Sequence, residues 1–210
     1  MKKISIFFAI ALFFIATSTV NAESDDYKRF YVGAGGSYGI ENFDGGGDFE
    51  NSWGINAKLG YHLIDEIAVQ FDYDYLWGFD DNDKIEIFGD NFEGETELDI
   101  MTFILSLKGN FPVKWYQVIS PYIIAGGGIM HADADFKIRG PGISGNSSTD
   151  ETDFCGKIGG GFDFFLHENF SVNLEGNYTF GFDDLEDIQY FHFILGGVFH
   201  FDLPYGNHKF

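Results

Sequence analysis

The stretch from Ile67 to Phe79 constrains the fold most. Every odd position, Ile67, Val69, Phe71, Tyr73, Tyr75, Trp77 and Phe79, is apolar or aromatic, while the even positions hold Ala68, Gln70, Asp72, Asp74, Leu76 and Gly78. A period of two over such a length specifies a single β-strand with one apolar face and one largely polar, small-residue face. The strand is longer than is usual in a soluble sheet. Its length suits a tilted strand that crosses a bilayer as part of a closed barrel.

The chain opens with a pattern of a different kind. Residues 1–22 combine the basic start Lys2-Lys3, the apolar core Ile4 to Ala16 and the small-residue site Val20-Asn21-Ala22, the signature of a cleaved secretory signal. The apolar core is too short for a membrane-spanning helix, and no cysteine follows it to carry a lipid anchor. Residues 23–28 then read as a lead-in, residues 29–201 as one domain and residues 202–210 as a C-terminal tail. Beyond the leader, 10 Lys and Arg face 33 Asp and Glu, a net charge of −23. Such a chain does not bind nucleic acid by neutralising phosphates. Cys155 is the single cysteine, which excludes an intramolecular disulfide. The 28 glycines and 26 phenylalanines against 4 prolines favour strands and turns over helices.

Alternation predicts eight strands, at about 29–40, 53–63, 67–79, 98–111, 121–132, 154–166, 170–182 and 189–201. The short connections 64–66 and 167–169 alternate with long ones at 41–52, 80–97 and 133–153, as in bacterial outer-membrane barrels with short periplasmic turns and longer outer loops. A soluble barrel would place its apolar face inside instead. The polar faces argue against that: Tyr31, Gly33, Gly35, Ser37 and Gly39 in the first strand, and Gly54, Asn56, Lys58, Gly60 and His62 in the second, suit a crowded lumen rather than a solvated exterior. The opposite faces are greasy, with Trp53, Ile55, Ala57, Leu59, Tyr61 and Leu63 in the second strand and Phe154, Ile158, Phe162, Phe164 and Leu166 in the sixth. Trp53, Tyr61, Trp77, Tyr122, Phe170 and Phe201 are the expected aromatic girdle. The expected class is all-β: an eight-stranded antiparallel transmembrane up-and-down barrel.

Four segments carry a family likeness: Phe30-Tyr31-Val32-Gly33-Ala34-Gly35-Gly36, Gly60-Tyr61-His62, Pro121-Tyr122-Ile123-Ile124-Ala125-Gly126-Gly127-Gly128 and Leu195-Gly196-Gly197-Val198-Phe199-His200-Phe201. With them the chain resembles the small porin-like outer-membrane barrels, the group that includes the outer-membrane protein A membrane domain and the outer-membrane protein X type. The resemblance implies outer-membrane lipid and lipopolysaccharide as surroundings. It also implies recognition of the aromatic end of the last strand by the barrel-assembly machinery. This chain departs from the pattern by continuing from Asp202 to Phe210, so that the signal is internal or is completed by Phe210. The expected molecule is a monomer.

Inward parity collects Lys58, Asp72, Lys108, Lys157, Asp163 and Glu175 in the lumen. A lysine at mid-bilayer on the lipid face would cost about 2 to 4 kcal/mol. With the second turn centred on Asp65, Lys58 lies opposite Asp72, and Trp53 opposite Trp77. In a dry interior these charges must pair; in a wet one they line a passage. Eight strands leave a space that side chains can just fill, which favours the plugged reading. At the outer mouth, His131, Asp133 and Asp135 share a face of strand five, and one register places Asp153 and Cys155 beside them. That set would suit a zinc-like divalent cation, or it is simply a polar rim. No other cofactor is indicated. The run from Asp80 to Asp99 holds nine acidic residues against Lys84 alone. It reads as a solvated loop, with capture of cations among lipopolysaccharide phosphates, or contact with a basic surface, as its functional reading. The glycine clusters lack the helix that a phosphate-binding loop needs, and make room in a tight barrel.

An enzymatic reading would need serine, histidine and acid at the lipid-accessible outer rim. The His-any-Ser pattern of outer-membrane lipid A deacylases is absent: Ala132 and Asp133 follow His131. The expected function is therefore a non-enzymatic surface barrel that displays acidic loops, with a small porin or conduit for small or hydrophobic molecules as the alternative.

Overall fold

The computed structural model describes residues 29–42, 51–87, 90–111, 118–140 and 143–202. The expected leader and lead-in, and the expected tail beyond residue 202, lie outside the described residues. Eight strands run in chain order: β1 (Phe30–Glu41), β2 (Ser52–Ile64), β3 (Ile67–Ile87), β4 (Asp90–Asn110), β5 (Ile119–Gly140), β6 (Ile143–His167), β7 (Phe170–Gly181) and β8 (Gln189–Phe201). Each pairs antiparallel with its sequence neighbour, and β1 pairs with β8 to close the barrel. Closure leaves no sheet edge within the wall, so every backbone donor and acceptor there can be met without water.

In β1, β2, β7 and β8 burial follows the two-residue period. Tyr31, Gly33, Ser37 and Gly39 face in from β1, Asn56, Lys58 and His62 from β2, and Asn173, Glu175 and Asn177 from β7. Leu59, Leu105, Ile158 and Leu195 are more than half exposed on the outside. That is the apolar band a barrel presents to lipid.

The ladders extend well past the expected strand ends. In the acidic stretch, residues 80–87 and 90–97 pair as a β3–β4 ladder, with Asp80 opposite Glu97 and Ile87 opposite Asp90. Residues 133–140 and 143–153 likewise pair in a β5–β6 ladder reaching from Ile129 opposite Phe154 to Gly140 opposite Ile143. The expected loops are therefore projecting hairpins. Beyond the bilayer both faces of a strand meet water, so apolar alternation fades while the backbone hydrogen bonds continue.

A bulge interrupts β3. The pairing with β4 shifts between Leu76 and Phe79, and Gly78 has φ 74°, a left-handed conformation that glycine adopts without a Cβ clash. The outward-facing Asp99 holds the bulge, accepting from Gly78 N at 3.1 Å and from Tyr75 OH at 2.8 Å. The extra residue turns Phe79 inward, against the odd-numbered parity, and buries it completely.

Candidate functional site

The lumen is filled in layers. At the end bearing the short turns, Tyr31 donates to Gln70 Oε1 at 2.7 Å, its ring lies 5.3 Å from His62 and 5.8 Å from His200, and Ser171 Oγ is 2.9 Å from His200 Nε2. Above lies a charged layer of three buried pairs: Lys157 to Asp72 at 2.6 Å, Lys108 to Asp163 at 2.6 Å and Lys58 to Glu175 at 3.0 Å. The remaining capacity of the carboxylates is taken up by neutral donors. Gln70 donates to Asp72, Asn173 to Asp163, and Tyr122 and Asn177 to Glu175, all at 2.6–2.8 Å. Each lysine is thus matched to one carboxylate and each carboxylate to further neutral donors, the condition under which ions tolerate burial.

The pairing differs from the expected one. Lys58 and Asp72 are opposite in the β2–β3 register, as are Trp53 and Trp77. The lysine instead reaches across the lumen to Glu175 and Asn173 Oδ1, and Asp72 is claimed by Lys157. In a barrel this narrow, a long side chain has opposite-wall partners as close as its ladder neighbour.

Tyr122 does not belong to the girdle. It is 3% exposed, and the Lys108 ammonium sits 3.8 Å from its ring centroid. The parity of β5 is therefore the reverse of the expected one. Ile123, Ala125, Gly127 and Ile129 face lipid, and Tyr122, Ile124, Gly126, Gly128 and Met130 face in. Both sets are small or apolar, so the alternation carries no sign. The other girdle residues face out: Trp53 and Trp77 towards the projecting hairpins, and Tyr61, Phe170 and Phe201 at the opposite rim, where Phe30 packs on Tyr61 at 4.8 Å and on Phe201 at 5.9 Å.

The same reversal divides the proposed cation ligands. His131, Asp133 and Asp135 point outward, with His131 Nδ1 2.6 Å from Thr152 Oγ1 and Nε2 3.3 Å from Asp133. Cys155 is buried inside, opposite Gly128, and Asp153 accepts from Phe154 N and Asp184 N. The wall separates the two halves of the set. Among the described residues no three His, Cys, Asp or Glu are grouped to hold a metal ion.

A third layer departs from the expectation of a polar lumen throughout. Leu76, Phe79, Leu98, Ile100, Met130, Ala132, Cys155 and Tyr190 form a buried apolar cluster near the hairpin end, joined by Leu185. Leu185 comes from a single 3-10 turn, Asp183–Leu185, between β7 and β8. Leu76, and Leu98 and Ile100 at the inward parity of Lys108, signalled this in the sequence; Phe79 and the β5 residues were hidden by the bulge and the lost parity. Gln70, Asp74, Asn173 and Asn177 were legible, since each shares inward parity with a charged neighbour two residues away.

No curated protein matches the chain by sequence. Among solved structures it is similar to the attachment invasion locus protein Ail of Yersinia pestis, at 18% identity and TM-score 0.56, over 83% of this chain and 99% of that one. It is similar to Neisserial surface protein A at 14% identity and TM-score 0.58, over 82% and 97%. It also resembles the outer membrane protein OprG from Pseudomonas aeruginosa, at 14% identity and TM-score 0.50, over 85% and 98%. At such identities the likeness is one of fold. The model of the outer membrane protein beta-barrel domain matches residues 7–201, and with a closed eight-stranded wall of lipid-facing residues around a filled lumen, the chain belongs to that family and is an integral β-barrel of the outer membrane.

Proposed function

We propose that the protein is a non-enzymatic surface barrel with a closed lumen, whose wall anchors two projecting hairpins and an acidic outer face. One observation carries the reading: three paired lysine–carboxylate bridges lie beneath an apolar cap. A passage for water and ions must breach both layers, and the first can open only by separating buried charges. The outward sides of β4, β5 and β6 add Glu97, Asp133, Asp135 and Asp150, all exposed, with Lys137 3.5 Å from Glu97. That face suits the metal-bridged phosphates of lipopolysaccharide or a basic partner surface. The Ser171–His200 pair is buried in the lumen, out of reach of lipid acyl chains, which supports a role in packing rather than in acyl transfer.

The test is single-channel recording of the refolded protein in planar bilayers. A silent membrane is the expected result. Discrete, reproducible conductance steps would overturn the closed-lumen reading in favour of a narrow conduit.

A further inference from the structure

The projecting hairpins carry a strand margin that the barrel does not close. β4 pairs with β5 as far as Glu93 opposite Arg139, so β3 to β6 continue outward as one four-stranded sheet beyond the wall. Pairing of β6 with β7 ends at Cys155 opposite Gly181. One residue further out, Phe154 O accepts from Phe182 N at 3.0 Å, and Phe154 N, without a ladder partner, donates to Asp153 Oδ1 at 2.7 Å. Phe154 therefore turns its main chain away from β5. In an antiparallel strand every second residue does the same, so Thr152, Asp150, Ser148, Asn146 and Ser144 each direct an N–H and a C=O at the open margin. Among the described residues none of these groups has a protein partner, and residues 145–152 are exposed at every position.

Proteins ordinarily blunt such a margin with charge, proline or a bulge. At the other side of the sheet, β2 leaves β3 after Trp53 opposite Trp77, and the stretch of β3 that follows carries Asp80, Asp81, Asp83, Lys84 and Glu86, charges that discourage a further strand. β6 has no such guard. Ile143 to Thr149 hold no charged residue and no proline, and the β5–β6 register runs without a shift. The main chain there is an unbroken, accessible template for one more strand. Charge selects what can use it. Asp150, Glu151 and Asp153 stand at its membrane-proximal end, where Asp184 N meets Asp153 Oδ2 at 3.2 Å and the β7–β8 connection adds the exposed Asp183, Asp184, Glu186 and Asp187. A second copy in the same membrane would bring its own β6 up with the same polarity, acid level with acid, and could pair only in the less stable parallel sense.

We propose that the free margin of β6, residues 144–152, captures an extended polypeptide segment of another protein as a fifth, antiparallel strand of the projecting sheet, and that the N-terminal residues of that segment include lysine or arginine. Running antiparallel to β6, the segment begins at the membrane-proximal end, against Asp150 and Asp153, and continues along the uncharged stretch. The main-chain ladder supplies affinity, and charge sets direction. This docking rests on the proposed display of the hairpins at the surface but not on the closed lumen: a conducting barrel would leave it standing, and an unused margin would leave the closed lumen standing.

The probe is a synthetic peptide, a pair of lysines followed by alternating threonine and valine over the length of the margin, added to the refolded protein in phosphatidylcholine vesicles. Amide hydrogen exchange is expected to show Asn146, Ser148 and Asp150 gaining protection as peptide is added. The same peptide N-methylated throughout its repeat keeps its charge but loses its donors, and should bind at least about tenfold more weakly. Ser148→Pro removes one margin N–H without touching a hydrogen bond to β5, a substitution that strand edges tolerate, and should also weaken binding. Moving the lysines to the C-terminus of the peptide should do the same. Equal binding of the methylated and unmethylated peptides would overturn the proposal in favour of simple charge attraction, and so would absence of protection at Asn146, Ser148 and Asp150 in millimolar peptide. Should Ser148→Pro not fold, the N-methyl comparison on the wild-type barrel decides.

Discussion

Lys157 and Asp72 both have side chains with no solvent exposure and meet at 2.6 Å, so each is the other's replacement for lost hydration. Removing one partner strands the other, which typically costs about 3 to 5 kcal/mol, whereas replacing both by apolar groups of similar volume is often neutral. Lys157→Met is therefore expected to lower the free energy of unfolding by roughly 3 kcal/mol, and Lys157→Met with Asp72→Leu to recover most of it. Urea titration of the three variants in vesicles checks this, and a double variant as weak as the single one would contradict it. Lys137→Ala is the surface control. Its partner Glu97 is about half exposed at 3.5 Å, and such pairs contribute less than about 1 kcal/mol. For Lys58 the corrected partner matters: Lys58→Ala strands Glu175, not its ladder neighbour Asp72.

At the scale of the strand, the close approach of β4 and β5 is set by glycines. A Cβ at Gly128 would lie 1.9 Å from the Phe103 carbonyl oxygen, a backbone atom that cannot swing aside, whereas a Cβ at the lipid-facing Gly36 meets nothing within 4 Å. Gly128→Ala should destabilise the barrel by about 1 to 3 kcal/mol through overpacking and reduce the folded fraction on refolding, while Gly36→Ala leaves both unchanged. The folded fraction in an unheated denaturing gel reads the difference. Strand number, order and the faces of β1, β2, β6, β7 and β8 were legible in the sequence because one face of each is apolar and the other polar or small. β5 was not legible, because Ala125-Gly126-Gly127-Gly128 puts small residues on both faces and erases the contrast that parity needs. From that one strand follow both the misplacement of Tyr122 and the misassembly of His131, Asp133 and Asp135 with Cys155. The bulge at Gly78 was invisible for a related reason: a single inserted residue inverts all that follows without changing composition.

For the whole molecule, the two barriers act in series, and this separates their roles in experiment. Breaking a charge pair alone, as in Lys157→Met, leaves the apolar cluster in place and is expected to keep planar bilayers silent. Phe79→Ala with Leu185→Ala thins the cap over an intact salt-bridged layer and should also be silent. Only cap and pair variants combined should give conductance steps, and steps from either set alone would show that one layer does all the sealing. The wall itself is uneven in height. β3 to β6 run 21 to 25 residues, while β1, β2, β7 and β8 run 12 or 13, so the described strands rise as a fence along one half of the circumference and are about half as long along the other. Neighbours diffusing in the same leaflet thus meet a molecule with two flanks. On the high flank a partner is held off by four extended strands, which the described strands of the low flank do not match in length. Crowding in the membrane plane will then favour contacts through β7, β8, β1 and β2, giving a cylinder that is round in lipid a preferred compass bearing at its surface.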